Sequence, residues 1–276
     1  MDRAAVRTKK WLGQHFLRDN SVPPRIAQAA AIQPTDLVVE VGPGLGVLTE
    51  ELASRLDPER GRLVAVELDE SLLPLLEERF ASMPFVSFVH ADVLDVPPEQ
   101  LTGGRPYKLV ANLPYYITSA ILRHFLDAHH KPLSLTVMVQ REVAERMAAR
   151  PPEMSLLAVA VQFYGKPKVV FRVPPGAFKP PPKVDSAVVH VDVYGPGERP
   201  VQPTSEEHFF RVVHAGFGQR RKQLANTLST GLDLPKQAAT GALNAAGIDP
   251  SRRAETLDLA EWAAIERQLA GEGGAP

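Results

Sequence analysis

A tetrapeptide in the middle of the chain, Asn112-Leu113-Pro114-Tyr115, combines an amide, a rigid turn and an aromatic ring directly after an apolar run. Exocyclic amines such as N6 of adenine are poor nucleophiles, because their lone pair is delocalised into the ring. The Asn112 Oδ1 atom and the Leu113 carbonyl, with Pro114 fixing the backbone, could accept both N–H bonds and so favour a lone pair directed at a methyl donor. Tyr115 or Tyr116 could stack on an extruded base, an interaction of about 1–3 kcal/mol. In isolation the tetrapeptide would also suit an ordinary turn with a packed tyrosine, so its surroundings decide between the two interpretations.

A glycine-rich segment, Gly42-Pro43-Gly44-Leu45-Gly46, follows an apolar run that ends at Val41. Glycines between a strand and a helix let the backbone approach a ligand, and the helix N-terminus offers free N–H groups. The segment therefore predicts a nucleoside cofactor, with a plain tight turn and a dinucleotide site as alternatives. Val47 stands where the dinucleotide fingerprint has its third glycine, which disfavours the dinucleotide site.

Two carboxylates follow later strands of the predicted sheet. Glu67 ends a strand about 20 residues past the glycines, where an acidic residue commonly accepts hydrogen bonds from ribose hydroxyls. Asp92 comes just after the next strand and could accept a bond from an adenine amino group. A solvated loop aspartate is the alternative for Asp92.

The elements that must position these residues alternate between short β-branched runs and helical stretches from residue 36 onward. This pattern predicts an α/β, Rossmann-like fold with a largely parallel sheet. A later pair of apolar runs, joined by a Pro-rich link without a helix, predicts an antiparallel closure of the sheet. The predicted parallel strands are Leu37 to Val41, Leu63 to Leu68, Val86 to Val89, Tyr107 to Ala111 and Leu133 to Val139; the closing pair is Val169 to Val173 and Ala187 to Val193.

The chain changes character near residue 200. Residues 194–203 are rich in Pro and Gly, and only helical periodicity follows them. We therefore predict a catalytic domain over residues 1–200, with a basic N-terminal arm over 1–20, and a small all-helical domain over 201–276.

The composition limits the class of protein. The sequence contains no Cys, which excludes disulfides, thiolate chemistry and Cys-ligated zinc, and we expect no metal. It has no apolar run of the ~20 residues that span a bilayer and no secretory signal, so we expect a cytoplasmic protein without a membrane partner. The net charge of −1 hides basic clusters that favour a nucleic-acid partner. These clusters are Arg3, Arg7, Lys9, Lys10 and Arg18; Lys166, Lys168, Arg172, Lys179 and Lys183; and Arg220, Arg221 and Lys222.

Taken together, the motifs closely resemble the ribosomal RNA adenine dimethyltransferase family of the small-subunit type, nearly end to end. The matching segments are 13–17 (GQHFL), 40–44 (EVGPG), 67–69 (ELD), Asp92, 112–115 (NLPY), 178–186 (FKPPPKVDS) and 217–222 (FGQRRK).

The resemblance implies an S-adenosylmethionine-dependent enzyme that dimethylates N6 of two adjacent adenosines in the 3′-terminal hairpin loop of 16S rRNA, during assembly of the small (30S) ribosomal subunit. It implies that the cofactor contacts His15, Leu17, Gly42, Glu67, Asp92 and Asn112. It also implies that Asn112, Leu113, Pro114 and Tyr115 form the target-adenine site, with Phe178 as a second aromatic wall or as a simple hydrophobic anchor. The family commonly has Asn at the position of His15.

The same resemblance assigns RNA contacts to Lys179, Lys183, Arg220, Arg221 and Lys222, and we expect a monomer that does not act on DNA. One alternative is a 23S rRNA adenine methyltransferase of the macrolide-resistance type, which segments 178–186 and 217–222 disfavour. A second is a ribosome-assembly factor without catalysis, which the intact motifs disfavour. An NAD-dependent oxidoreductase is a third, disfavoured by the GxGxG spacing.

Overall fold

The computed structural model of the chain describes residues 15–272. Arg3, Arg7, Lys9 and Lys10 of the predicted basic arm, and the last four residues of the Gly-rich tail, lie outside the described residues. The chain divides into two compact units, one formed by residues 15–144 and 166–193 and the other by residues 145–165 and 194–272.

The first unit is built on a seven-stranded mixed sheet with the order β4-β3-β2-β5-β6-β9-β7, and β1 and β8 form a separate antiparallel pair. Strands β2 to β6 run parallel, and β9 pairs antiparallel with β6. The predicted α/β, Rossmann-like sheet with an antiparallel closure is confirmed. The strands are β1 (Phe16–Leu17), β2 (Leu37–Val41), β3 (Arg62–Glu67), β4 (Val86–His90), β5 (Lys108–Asn112), β6 (Ser134–Gln140), β7 (Gly165–Val173), β8 (Phe178–Lys179) and β9 (Ser186–Val193).

Helices connect the parallel strands and make up most of the second unit. They are α1 (Val22–Ala29), α2 (Val47–Ala53), α3 (Leu73–Arg79), α4 (Pro98–Thr102), α5 (Thr118–Asp127), α6 (Arg141–Met147), α7 (Leu156–Tyr164), α8 (Glu206–Phe217), α9 (Leu224–Gly231), α10 (Lys236–Ala245) and α11 (Leu259–Glu272). Within residues 15–272, none of them has the length and apolar character needed to cross a bilayer.

The order of the central strands creates the crevice in which polar residues meet. Strand β2 pairs with β3 on one side and with β5 on the other, in the parallel registers Val41↔Val66 and Val41↔Ala111. The connection after β2 leads to β3 on one side, whereas the connection after β5 leads to β6 on the other. Ligands of open α/β sheets bind beside the carboxyl ends of the strands at such a switch. The residues of β2 are all buried, as expected for a strand covered on both faces.

The second unit also includes α7, which precedes the boundary predicted near residue 200, so the division of the chain differs from the predicted one. The physical reason is apolar packing, because Phe163 of α7 stacks on Phe209 of α8 with ring centroids 4.8 Å apart. Trp262 of α11 is fully buried against Gly216, where an added Cβ would lie 2.3 Å from the indole ring. Sequence periodicity identifies such helices but does not show which neighbour an apolar helix such as α7 packs against.

Gly46, which precedes α2, allows a test of close packing beneath the glycine-rich loop. Its φ is +78°, and an added Cβ would lie 2.8 Å from the Phe80 ring, whereas Gly103 has φ +61° with open space around it. Gly103→Ala should lower the free energy of unfolding by about 1–2 kcal/mol, the cost of a left-handed backbone conformation alone. Gly46→Ala should cost that strain and about 1–3 kcal/mol more for overpacking. Urea unfolding of the two variants measures the difference, and equal losses of stability would contradict the packing account.

Candidate active site

A cavity at the carboxyl ends of β2, β3, β4 and β5 collects residues that are distant in sequence. All of the predicted cofactor-contacting residues and the whole predicted target-adenine tetrapeptide line it. The predicted residues that meet there are His15, Leu17, Gly42, Glu67, Asp92, Asn112, Leu113, Pro114 and Tyr115.

The glycine-rich loop forms one wall of the cavity. Gly42, Gly44 and Gly46 have φ values of +69°, +57° and +78°, a backbone conformation that residues other than glycine rarely adopt. The Gly42 N–H donates to the Val66 carbonyl over 2.9 Å, which ties the loop to β3. An added Cβ on Gly44 would lie 3.3 Å from the Phe16 ring, so the loop passes close beneath β1.

Glu67 lies at the end of β3 with 6% of its surface exposed. The backbone N–H groups of Gly44 and Asp69 donate to its two carboxylate oxygens over 3.1 and 2.9 Å. Desolvation by burial raises the pKa of Glu67 above its ordinary value, against the opposing effect of these two hydrogen bonds. The carboxylate is thereby fixed in position beside the glycine-rich loop, where it can accept bonds from a ligand's hydroxyl groups.

Glu40, the next-to-last residue of β2, also lines the cavity, although the sequence analysis assigned it no role. Its side chain is 1% exposed, and burial raises its pKa to about 8, with a smaller contribution from the negative charge of Glu67. The Oε2 atom has no hydrogen-bond partner within the protein. The buried Thr49 hydroxyl is the neighbour that lowers this pKa, against the larger effect of burial. The feature of the sequence that could have identified Glu40 is a single acidic residue inside an otherwise apolar strand.

Asp92 follows β4, next to the end of β3. Its Oδ1 atom accepts the Leu94 N–H over 3.0 Å and so caps a single 3₁₀ turn formed by Val93–Asp95. The Ala91 N–H donates to the Glu67 carbonyl over 3.1 Å, which holds the two loops together. The carboxylates of Glu67 and Asp92 therefore belong to adjacent strand ends, as the sequence predicted.

The tetrapeptide leaves β5 in a conformation held from both sides. The Leu113 N–H donates to the Met138 carbonyl of β6 over 3.0 Å, and the Thr118 hydroxyl donates to the Pro114 carbonyl over 3.1 Å. Leu113 is 1% exposed, while Asn112 is only partly buried at the cavity wall. The turn is therefore anchored by its apolar residue, and the Asn112 backbone oxygen lies 4.0 Å from where a Cβ on Gly42 would be.

Tyr115 is held by two contacts that the sequence did not predict. Its hydroxyl shares a hydrogen bond of 2.7 Å with the Ser186 hydroxyl, and its ring stacks on His15 with centroids 5.8 Å apart and planes 27° apart. Burial raises the pKa of the Tyr115 phenol. The neighbouring Tyr116, in contrast, is 58% exposed at the cavity.

His15 connects the start of the described chain to the Pro-rich loop. Its Nδ1–H donates to the Pro180 carbonyl over 2.8 Å, and the adjoining β1 pairs with β8 in the register Leu17↔Phe178. An imidazole at this position therefore serves as a stacking partner and a backbone donor. Local sequence patterns do not predict contacts between residues 165 positions apart.

Phe178 is the one predicted active-site residue that does not line this cavity. It is absent from the cavity lining and is 4% exposed within the hydrophobic core of the first unit. β8, which contains Phe178, pairs with β1, and the role of this ring as a second aromatic wall or as a hydrophobic anchor stays a prediction.

The predicted RNA-contacting residues are all exposed, but in different units. Lys179 and Lys183 belong to the Pro-rich loop of the first unit. Arg220, Arg221 and Lys222 lie between α8 and α9 of the second unit. Among residues 15–272 there is no group of three or more His, Asp or Glu side chains that could hold a metal ion.

Comparisons with known proteins agree with this site. The family model described as ribosomal RNA adenine dimethylase matches residues 5–270. The ribosomal RNA small subunit methyltransferase A of Dehalococcoides mccartyi is 51% identical over 263 residues, covering 95% of this chain and 88% of the relative. The protein with the same name from Pelotomaculum thermopropionicum is 43% identical, covering 99% and 95% of the two chains.

Solved structures show the same architecture. The 23S rRNA methyltransferase ErmE superposes with a TM-score of 0.72 at 29% identity, covering 92% of this chain and 99% of that one. A dimethyladenosine transferase from Plasmodium falciparum superposes with a TM-score of 0.79 at 20% identity, covering 94% and 98%, which shows a shared fold. With a family model that spans nearly its whole length and curated relatives of up to 51% identity, the chain belongs to the ribosomal RNA adenine dimethylase family.

Proposed function

We propose that this S-adenosylmethionine-dependent methyltransferase dimethylates N6 of two adjacent adenosines in the 3′-terminal hairpin loop of 16S rRNA, within the small ribosomal subunit. The observation that carries the proposal is the meeting of the tetrapeptide 112–115 with the glycine-rich loop and two carboxylates in one cavity. Curated relatives named for the small subunit, at 40–51% identity, support the choice of substrate.

The donors and acceptors of the cavity fit S-adenosylmethionine. Glu67 is placed to accept bonds from the ribose hydroxyls and Asp92 from the adenine amino group. The bend of the glycine-rich loop at Gly42 lets the backbone come close to the ligand. When bound, the cofactor supplies an electrophilic methyl group on its sulfonium sulfur.

The tetrapeptide then holds and polarises the target amine. Asn112 Oδ1 and the Leu113 carbonyl accept the two N6–H bonds, which favours a lone pair outside the plane of the base. With the cofactor bound, N6 held in this way would be aimed at the methyl carbon, so that the new N6–C bond would replace the S–C bond and the N6 proton would pass to solvent. Tyr115, already fixed by Ser186 and His15, offers a preorganised surface for the base. Positioning therefore supplies the catalytic effect, without a covalent enzyme intermediate.

RNA outside the cavity is contacted by exposed cations of both units. Lys179 ends β8, Lys183 follows it, and the 220–222 cluster lies before α9. Contacts to phosphates fix position without reading sequence. We propose that the first unit carries catalysis, that the second binds RNA, and that a cytoplasmic monomer acts late in assembly of the subunit.

A second candidate substrate is the large-subunit rRNA, since ErmE, a 23S rRNA methyltransferase, is 29% identical over nearly the whole chain. Transfer of labelled methyl groups to unmodified small and large subunits separates the two candidates. Nuclease digestion and nucleoside analysis should give N6,N6-dimethyladenosine in the 16S 3′ hairpin. Label confined to large-subunit RNA would overturn the proposal.

Glu67→Ala should weaken cofactor binding more than it slows methyl transfer in the bound complex, because a ribose contact is made equally in the ground state and the transition state. The raised pKa of Glu67 adds a pH dependence: as pH falls through that pKa, the carboxylate gains a proton and loses acceptor strength, so affinity falls. The fall should begin at a higher pH than for an ordinary glutamate. Calorimetric titration with the cofactor across pH measures both effects.

Two control variants belong to the same titration. Glu67→Gln should make cofactor affinity nearly independent of pH in the acidic range. Glu70 is an exposed acidic residue three positions away, and Glu70→Ala should leave the affinity unchanged. A defect of Glu67→Ala confined to turnover would contradict the ribose assignment.

A further inference from the structure

A row of cations lies on β7, outside the cavity described above. β7 is the last strand of the seven-stranded sheet, and its residues alternate between exposed and partly buried positions from 166 to 172. Lys166, Lys168 and Arg172 are exposed on one face, with Val170, 40% exposed, between them. The other face packs inward, with the Arg25 guanidinium 3.8 Å from the centroid of the Phe171 ring. The charges therefore project from the side of the strand that faces solvent.

The spacing of this row suits a phosphate backbone. Side chains two positions apart on a strand are separated by about 6.6 Å, and the six positions from Lys166 to Arg172 span about 20 Å. Successive phosphates along an RNA strand are separated by a comparable distance. A straight, rigid strand can therefore place several cations against one backbone without reordering the protein.

The stretch of chain that contains the row has no acidic residues. The sequence contains no Asp or Glu between Glu153 and Asp185, although acidic residues outnumber basic ones, 32 to 31, in the whole chain. The acid that ends this interval, Asp185, is paired with Arg141 over 3.3 Å. The segment that contains β7 and the loop after it therefore carries only basic formal charges, which is the pattern expected of a segment that binds a polyanion.

The row also leads to the active site. β7 ends at Val173 and is followed by a 3₁₀ turn and by β8, which pairs with β1. His15, directly before β1, stacks on Tyr115 in the cavity. An RNA strand that leaves the cavity past Lys179 could therefore continue along β7.

We propose that the exposed face of β7, formed by Lys166, Lys168 and Arg172, binds the phosphate backbone of ribosomal RNA at a segment outside the target loop. This proposal rests on the proposed function and extends it by a docking surface. The surface explains how an enzyme with a net charge of −1 holds a large RNA substrate while its cavity takes single bases.

A purely structural role for the same lysines makes a different prediction. Charged residues on edge strands prevent pairing with the edges of other sheets, and such residues affect solubility rather than RNA affinity. Replacing them with neutral, similarly sized residues separates the two roles, because RNA affinity and self-association are measured independently.

The test compares the wild-type protein with Lys166→Gln/Lys168→Gln in binding to unmodified small ribosomal subunits at several KCl concentrations. The matched control is Arg60→Gln/Arg123→Gln, which removes the same charge from exposed side chains elsewhere in the first unit. Losing two phosphate contacts should reduce the slope of log affinity against log salt by about 2 and weaken binding about tenfold at low salt. The control should bind like the wild type, and all three proteins should methylate a short hairpin oligonucleotide at equal rates, since it does not reach β7.

An unchanged affinity and salt slope for the Lys variant would overturn the proposal, as would a loss matched by the control. Self-association of the Lys variant with unchanged RNA binding would assign the lysines to edge protection and also overturn it. Failure of the wild-type protein to methylate small-subunit RNA would instead overturn the proposed function, so the two failures are distinguishable.

Discussion

The parallel pairing of β2 with both β3 and β5 is the constraint on which the site depends. It brings the carboxyl ends of these strands to one edge of the sheet, so that Gly42, Glu67 and Asn112 meet although they are far apart in sequence. The loops that leave β2 and β5 diverge there and open the cavity. A shift of register in either pairing would move the tetrapeptide away from the glycine-rich loop, so sheet geometry and chemistry are not separable in this fold.

The site stores unfavourable interactions that a ligand can relieve. Glu40 and Glu67 are both buried, and desolvation raises the pKa of each. Glu67 is compensated by two backbone N–H donors, whereas one oxygen of Glu40 has no partner. The protein therefore holds the Glu67 carboxylate in place before a ligand arrives, at a cost to its own stability that is consistent with a binding site. Tyr115 follows the same principle, since Ser186 and His15 fix its ring in advance.

Much of this arrangement could be predicted from the sequence, because strand and helix periodicity, glycine spacing and acidic residues at strand ends are local patterns. The predicted sheet and the residues gathered at its edge agree with the structure. Contacts between distant segments could not be predicted: the pairing of β1 with β8, the stacking of His15 on Tyr115 and the inward packing of Phe178 depend on tertiary structure. The packing of Phe163 of α7 on Phe209 is a further example, because an apolar helix does not specify its neighbour.

The central claim is that Asn112 acts by accepting a hydrogen bond from the target amine, and single-turnover methyl transfer to small subunits tests it most directly. Asn112→Ala should slow transfer by about 10²–10³-fold, the effect of losing one oriented polar group in a transition state, while RNA affinity stays close to that of the wild type. Asn112→Asp, which keeps an acceptor, should retain much more of the rate. Wild-type transfer by Asn112→Ala, or an equal loss in both variants, would contradict the account.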